Sequence, residues 1–288
     1  MNWHEIPLVF NCEGSRLLGI LTQPEHPTET GVAIVVGGPQ YRAGSHRQFT
    51  LLARQLAEQG IASLRFDYRG MGDSEGDIRY FEAIDADIRA AVDQLIIQIP
   101  HIKQVSLWGL CDAASAALYY AHTDPRVQGL ILLNPWAHSS VASARAKMKH
   151  YYLERLTNRA FWIKLFTGKV KLGSSLSGFT DSARQASATN VEAAPRVDLR
   201  YGSPGYIDRM LKGLKQFGGK VELILSGNDL TAQAFEELLR IDPQWQKACS
   251  ATRVTTKKLP AATHTFPSQF WRDQVSGWST DFLKSLRN

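Results

Sequence analysis

Residues 105–118, Val-Ser-Leu-Trp-Gly-Leu-Cys-Asp-Ala-Ala-Ser-Ala-Ala-Leu, constrain the fold of this chain more than any other stretch. An apolar, strand-like run enters a turn that holds one cysteine, and an alanine-rich helix leaves it. Where a strand turns sharply into a helix the two backbones pass close together. The residues two before and two after the apex must then be small, and Gly109 and Ala113 stand there. Such a turn lifts the apex side chain, Cys111, clear of the sheet and sets it at a helix N-terminus, where free N–H groups and the helix dipole favour a thiolate. The pattern predicts a nucleophilic Cys111 with a depressed thiol pKa. The competing reading is a buried cysteine at a strand–helix junction, because cysteine is among the most buried residue types.

Around this turn, apolar runs of strand length alternate with helical patterns, which predicts a mostly parallel sheet covered by helices on both faces. Eight strands are expected, at Ile6–Phe10, Leu17–Thr22, Val32–Val36, Ile61–Arg65, Gln104–Trp108, Gly129–Leu133, Val221–Leu225 and Arg253–Lys257. Helices are expected at His46–Glu58, Phe81–Gln98, Ala113–Ala121, Tyr206–Phe217, Ala232–Ile241 and Gln269–Leu286. The first two strands read as an antiparallel hairpin around Asn11–Ser15, whose polar residues and glycine suit a turn. After Asn134-Pro135 the alternation breaks. An amphipathic pattern over 141–166 and a Gly/Ser/Thr/Ala-rich stretch over 173–190 predict a helical cap at 136–204, inserted into a core made of 1–135 and 205–288.

Composition bounds the function. A chain of 288 residues with 44% apolar and 21% charged residues is an ordinary globular protein. Cys12, Cys111 and Cys249 cannot form a full disulfide set, and their spacing fits no metal site. The N-terminal residues show no signal-peptide pattern and no apolar run is long enough to span a membrane, so a reducing cytoplasm is expected. The net charge of +6 is concentrated at 136–200, where eleven Lys/Arg face four acids. That excess suits either a solvated surface or a field that steers an anionic partner. No recognition helix, zinc finger or aromatic sheet accompanies it, so nucleic acid is not an expected partner. The oligomeric state is not legible.

A cysteine nucleophile needs a base within reach and an acid to orient that base. Parallel strands end on one edge of the sheet, so the loops after strands five, seven and eight converge there. Asp229 follows strand seven and His264 follows strand eight. Asp229 also reads as the N-cap of the helix behind it, with Glu236 as the reserve acid, and His264 also reads as a satisfied loop histidine. An oxyanion would need two backbone N–H groups, one from Asp112 and one from the loop after strand three. Pro39 cannot donate, so Gln40 is the candidate there, with Tyr41 second. On the same rim Tyr41, Arg42 and His46 suit an anionic substrate, although Arg42 and His46 suit pairing with surface acids equally well.

These residues resemble the α/β-hydrolases. Phe66-Asp67-Tyr68-Arg69-Gly70-Met71-Gly72-Asp73-Ser74 looks like that superfamily's D-x-R-G-x-G-x-S loop after strand four, in which Arg69 and Asp73 brace rather than react. Gly-Gly-Pro-Gln-Tyr-Arg at 37–42, Gly-Leu-Cys-Asp-Ala-Ala-Ser at 109–115 and Asn-Asp-Leu-Thr-Ala at 228–232 further resemble the hydrolases associated with the bacterial exosortase A system. The resemblance implies the chain order nucleophile, acid, base, here Cys111, Asp229 and His264, and a cap after strand six. It departs at Ala113, where glycine is usual, and at Asp229, one residue closer to its glycine than in the common G-x-x-D form. Elbow cysteines also occur in dienelactone hydrolases. The implied activity needs no cofactor: hydrolysis of a small-molecule ester, lactone or thioester, which the basic segment at 136–200 suggests is anionic or carrier-bound. The alternatives are acyl transfer from the same acyl-enzyme, or a non-catalytic binding role.

Overall fold

The computed structural model describes residues 2–38, 40–137, 203 and 205–286. Eight strands form one sheet: β1 Trp3–Cys12, β2 Ser15–Pro24, β3 Thr30–Val35, β4 Ala62–Phe66, β5 Gln104–Leu110, β6 Val127–Leu133, β7 Lys220–Ser226 and β8 Val254–Leu259. Their order in space is β1-β2-β4-β3-β5-β6-β7-β8. β1 pairs antiparallel with β2, and β2 antiparallel with β4; the other pairs are parallel. All eight expected strands are present, with β1 and β2 longer than their apolar runs. Their junction is a two-residue turn, Glu13 (φ 48°) and Gly14 (φ 86°), whose left-handed backbone matches the twist of the strands it joins.

Seven α-helices are numbered in chain order among the described residues: α1 Gln48–Glu58, α2 Asp85–Gln98, α3 Asp112–Tyr120, α4 Tyr206–Gln216, α5 Leu230–Ile241, α6 Pro243–Cys249 and α7 Gln269–Ser285. The fully buried β3 shows why the sheet needs cover on both sides. Val32 and Ile34 pack with Phe49, Leu52 and Leu56 of α1 and Phe282 and Leu283 of α7. Ala33 and Val35 point the other way, into a second core with Ile88 and Val92 of α2, Leu118 of α3 and Met210 of α4. A strand apolar on both faces is the mark of a central parallel strand.

Three differences from the expected elements have local causes. α1 starts at Gln48 rather than His46, because His46 (φ 52°) and Arg47 (φ 59°) both take left-handed backbone. α2 starts at Asp85, preceded by a separate 3₁₀ turn at Phe81–Ala83. α6 was not expected at all; Asp242 caps it, accepting from the Gln244 and Trp245 N–H groups, and Pro243 occupies its first turn. The expected cap and the basic segment lie outside the described residues, except for Trp136, Ala137 and Ser203.

β3 lies between β4 and β5, so the chain reverses its direction of travel across the sheet there. The loops after β3 and β5 leave side by side at the carboxyl ends of the strands, the usual place for a ligand crevice in such sheets. The loop after β4 is braced from below. Arg69 reaches Asp87 of α2 with Nε to Oδ1 at 3.0 Å and Nη2 to Oδ2 at 2.8 Å, and also pairs with Glu13. Both Arg69 and Asp87 are buried. Among the described residues no helix is long and apolar enough to cross a membrane.

Candidate active site

The junction of β5 and α3 is a strained elbow. Cys111 sits at its apex with φ 63° and ψ −124°, a backbone that costs a non-glycine residue about 1–3 kcal/mol. Neighbours hold it there. The Cys111 N–H donates to the Leu133 carbonyl (2.9 Å), and its own carbonyl accepts from the N–H groups of Ala114 and Trp136 (both 3.1 Å). A Cβ at Gly109 would lie 2.7 Å from the Ala113 carbonyl carbon and oxygen, so glycine is required two residues before the apex. Cys111 is partly accessible, whereas Cys12 is buried in the core.

On the same edge, His264 and Asp229 meet. Asp229 Oδ2 lies 2.9 Å from His264 Nδ1, with the Asp229 side chain nearly buried. The same carboxylate caps α5, accepting from the N–H groups of Thr231 (3.3 Å) and Ala232 (3.0 Å). One carboxylate thus serves as the N-cap of α5 and also lies against the His264 imidazole. Glu236 instead pairs with Lys258 of β8.

Backbone bonds tie the two loops together, from Gly227 N–H to Leu259 O (2.8 Å) and from Asn228 N–H to Ala262 O (3.0 Å). Asn134, fully buried at the end of β6, adds a side-chain clamp. Its Nδ2 donates to Ser226 Oγ (2.9 Å) and to the His264 carbonyl (3.1 Å), while its Oδ1 accepts from the Ser226 N–H (2.8 Å). The sequence reading missed Asn134; a lone polar residue ending an apolar strand was the available signal. Replacing Asn134 by Ala leaves buried groups unpaired at about 1–3 kcal/mol. It should lower the melting temperature and reduce turnover together, as thermal denaturation and kinetics on the purified variant would show.

The loop after β3 behaves differently from expectation. Gly38, whose φ of +58° suits glycine, donates its N–H to Asp112 Oδ2 at 3.0 Å. That N–H is thus directed at the residue after the nucleophile, two positions before Gln40. Gln40 uses its side-chain carbonyl to accept from Ser45 N–H and Gln48 Nε2 (both 3.3 Å), which closes its own loop. Arg42 pairs with Asp67 and Asp73, the latter at 2.7 Å, and its N–H donates to Asp67 Oδ1 at 2.6 Å. Of the two readings of Arg42, pairing with acids is the one observed, so it fastens the loop after β3 to the loop after β4. Tyr41 and His46 remain exposed on the rim.

The expected depression of the Cys111 thiol is not what the structure shows. Burial pushes the thiol up, and the Asp112 charge pushes it further. The Asp112 N–H acts the other way and is outweighed, while the Asp229 charge adds to the rise. Proximity to a helix N-terminus was the correct observation, but a carboxylate from that first turn folds back beside the sulfur. Among the described residues no group of three or more His, Cys, Asp or Glu side chains is placed to hold a metal ion.

A cysteine at an elbow after a central strand, with a histidine and an acid on the last two strand loops, has the layout of one superfamily. The family described as serine aminopeptidase, S33 matches residues 32–266. This chain belongs to that family, within the α/β-hydrolases. The S33 family is described by a serine enzyme, and this S33 chain carries a cysteine at the apex. Its fold is similar to the esterase Pf2001 of Pyrococcus furiosus, with a TM-score of 0.66 and 16% identity over 99% of this chain and 92% of that one. It is also similar to a dienelactone hydrolase from Anabaena variabilis, with a TM-score of 0.61 and 16% identity over 99% of both chains. A shorter likeness joins this S33 chain to the polyketide transferase grgF of a Penicillium species, 32% identical over 97 residues, or 31% of this chain. The matched stretches span 32% and 28% of the length of the curated relatives.

Proposed function

We propose that this S33-family chain hydrolyses an ester or thioester through a covalent acyl-enzyme on Cys111. The observation that carries the reading is the cysteine held in left-handed backbone at the elbow, on the same sheet edge as the Asp229–His264 hydrogen bond. His264, oriented through Nδ1 by Asp229, takes the Cys111 proton as the sulfur attacks the carbonyl carbon. The C=O electron pair moves to oxygen, where backbone N–H groups of Asp112 and of the loop after β3 receive it; Gly38 and Gln40 are the donors available in that loop. On collapse the bond to the leaving group breaks, and that group takes the proton from His264. Water then gives a proton to His264 and attacks the thioester, which returns Cys111 as a thiol.

Sulfur chemistry favours a thioester, an activated ester or a lactone, since attack exchanges leaving groups of similar ability, whereas an amide must first protonate its nitrogen. The resemblance at 37–42, 109–115 and 228–232 supports a setting beside exopolysaccharide and exosortase systems and leaves the acyl group open. The basic stretch at 136–200 supports an anionic carrier and, with the core at 1–135 and 205–288, a cap over the site. Acyl transfer from the same intermediate is the second reading, favoured by the likeness to a polyketide transferase. Screening the purified protein against chromogenic esters and acyl-thioesters of graded chain length, with and without an alcohol or amine acceptor, tests both. Turnover of thioesters to free acid is expected; no turnover of any acyl compound would remove the proposal.

A further inference from the structure

Asp112 is an unusual neighbour for a nucleophile. Its Oδ2 accepts from the Gly38 N–H at 3.0 Å, and its Oδ1 is buried with no hydrogen bond of full geometry, only the N–H groups of its own turn beside it. A Cβ at Gly37 would lie 2.3 Å from Oδ1 and 2.7 Å from the Leu110 carbonyl, so the loop after β3 approaches this closely only because residue 37 has no side chain. The carboxyl therefore fills the gap between that loop and the elbow, where the two N–H groups required by an oxyanion lie. The titratable groups around it come from three directions: Cys111 from its own turn, Tyr68 from the loop after β4, and His264 from the loop after β8.

We propose that the Asp112 carboxyl is a proton-operated stop on Cys111. Ionised, it holds the Gly38 N–H and opposes both the thiolate and the oxyanion by charge. Neutral, it removes that charge and releases the N–H to the substrate carbonyl. Burial, which raises the carboxyl above the ordinary Asp range, makes the neutral form accessible, although the N–H groups of Gly38, Ala113 and Asp112 itself oppose that rise. Asp112 acts here through Cys111 and Gly38, as a positioning residue. The inference rests on Cys111 being the nucleophile, but its test does not require turnover.

The test is the pH dependence of iodoacetamide alkylation, read at each cysteine by mass spectrometry, in the wild type and in Asp112→Asn. The wild-type Cys111 midpoint should lie above the free-thiol value of about 8.5. The Asn variant, which keeps the shape and removes the charge, should lower it by about one pH unit or more. Cys249, partly accessible, serves as the internal standard and should not move, while Cys12, buried in the core, should stay unlabelled. Asp112→Ser should shift Cys111 in the same direction if the Asn variant fails to fold. A Cys111 midpoint equal in wild type and variant overturns the proposal, and so does a wild-type midpoint at or below the free-thiol value, with no variant needed. A merely structural carboxyl would change stability without moving the midpoint. Turnover that survives Cys111→Ala would instead refute the acyl-enzyme reading.

Discussion

Cys111→Ala is expected to abolish hydrolysis, with kcat falling by about 10⁴-fold or more, the scale seen when a nucleophile is removed from a triad. Cys12→Ala and Cys249→Ala should keep turnover nearly intact. All three thiols are raised by burial, Cys12 and Cys249 to about 11, so ease of ionisation does not single out Cys111. Position does. Cys111 alone sits in left-handed backbone at the carboxyl edge of the sheet, beside the loops of Asp229 and His264. Steady-state kinetics on the three single variants, each shown to be folded, make the comparison.

Asp87→Ala should be the most damaging change to stability. Asp87 is fully buried and takes the Arg69 side chain at two points and the Arg69 N–H at 2.9 Å. Among the described residues, its removal leaves a buried guanidinium with only the exposed Glu13 as ionic partner. Breaking a buried pair in this way costs about 3–5 kcal/mol. For a chain of this size that corresponds to a fall in melting temperature of roughly 10 °C. Activity should fall with it, because the loop that Arg69 anchors also carries Asp67, which holds Arg42 and through it the loop after β3. A loss under about 1 kcal/mol would show that Glu13 compensates.

What the sequence made legible follows from how local each signal is. The elbow was readable because steric demand fixes Gly109 and Ala113 within five residues of each other. The eight strands were readable because a strand packed on both faces, such as β3, is apolar throughout. Asp229 and His264 were readable through their positions after late strands, but the choice of Asp229 over Glu236 was not. It depends on a loop geometry in which Gly227 presses on the Pro260 backbone, where a Cβ would lie 2.1 Å from the carbonyl oxygen.

Features settled by contacts distant in sequence stayed hidden. Arg42 had equal claims to substrate and to acids until β4 brought Asp67 beside it. The rise of the Cys111 thiol comes first from burial, and the Asp112 charge, held by the Gly38 N–H 74 residues away, adds to it. α6 was missed for a different reason: seven residues are too few to show helical periodicity, and only the Asp242-Pro243 pair announces it.

The most direct test of the account is to trap the acyl-enzyme. Wild-type protein is mixed with an acyl-thioester, quenched in acid within the first turnovers and analysed by peptide mass spectrometry, with His264→Ala, which should fail to acylate, as the control. The account predicts one acyl group, carried on the peptide that contains Cys111 and lost on treatment with hydroxylamine. An acyl group on a serine such as Ser115, or turnover by wild type with Cys111 never acylated, would contradict it.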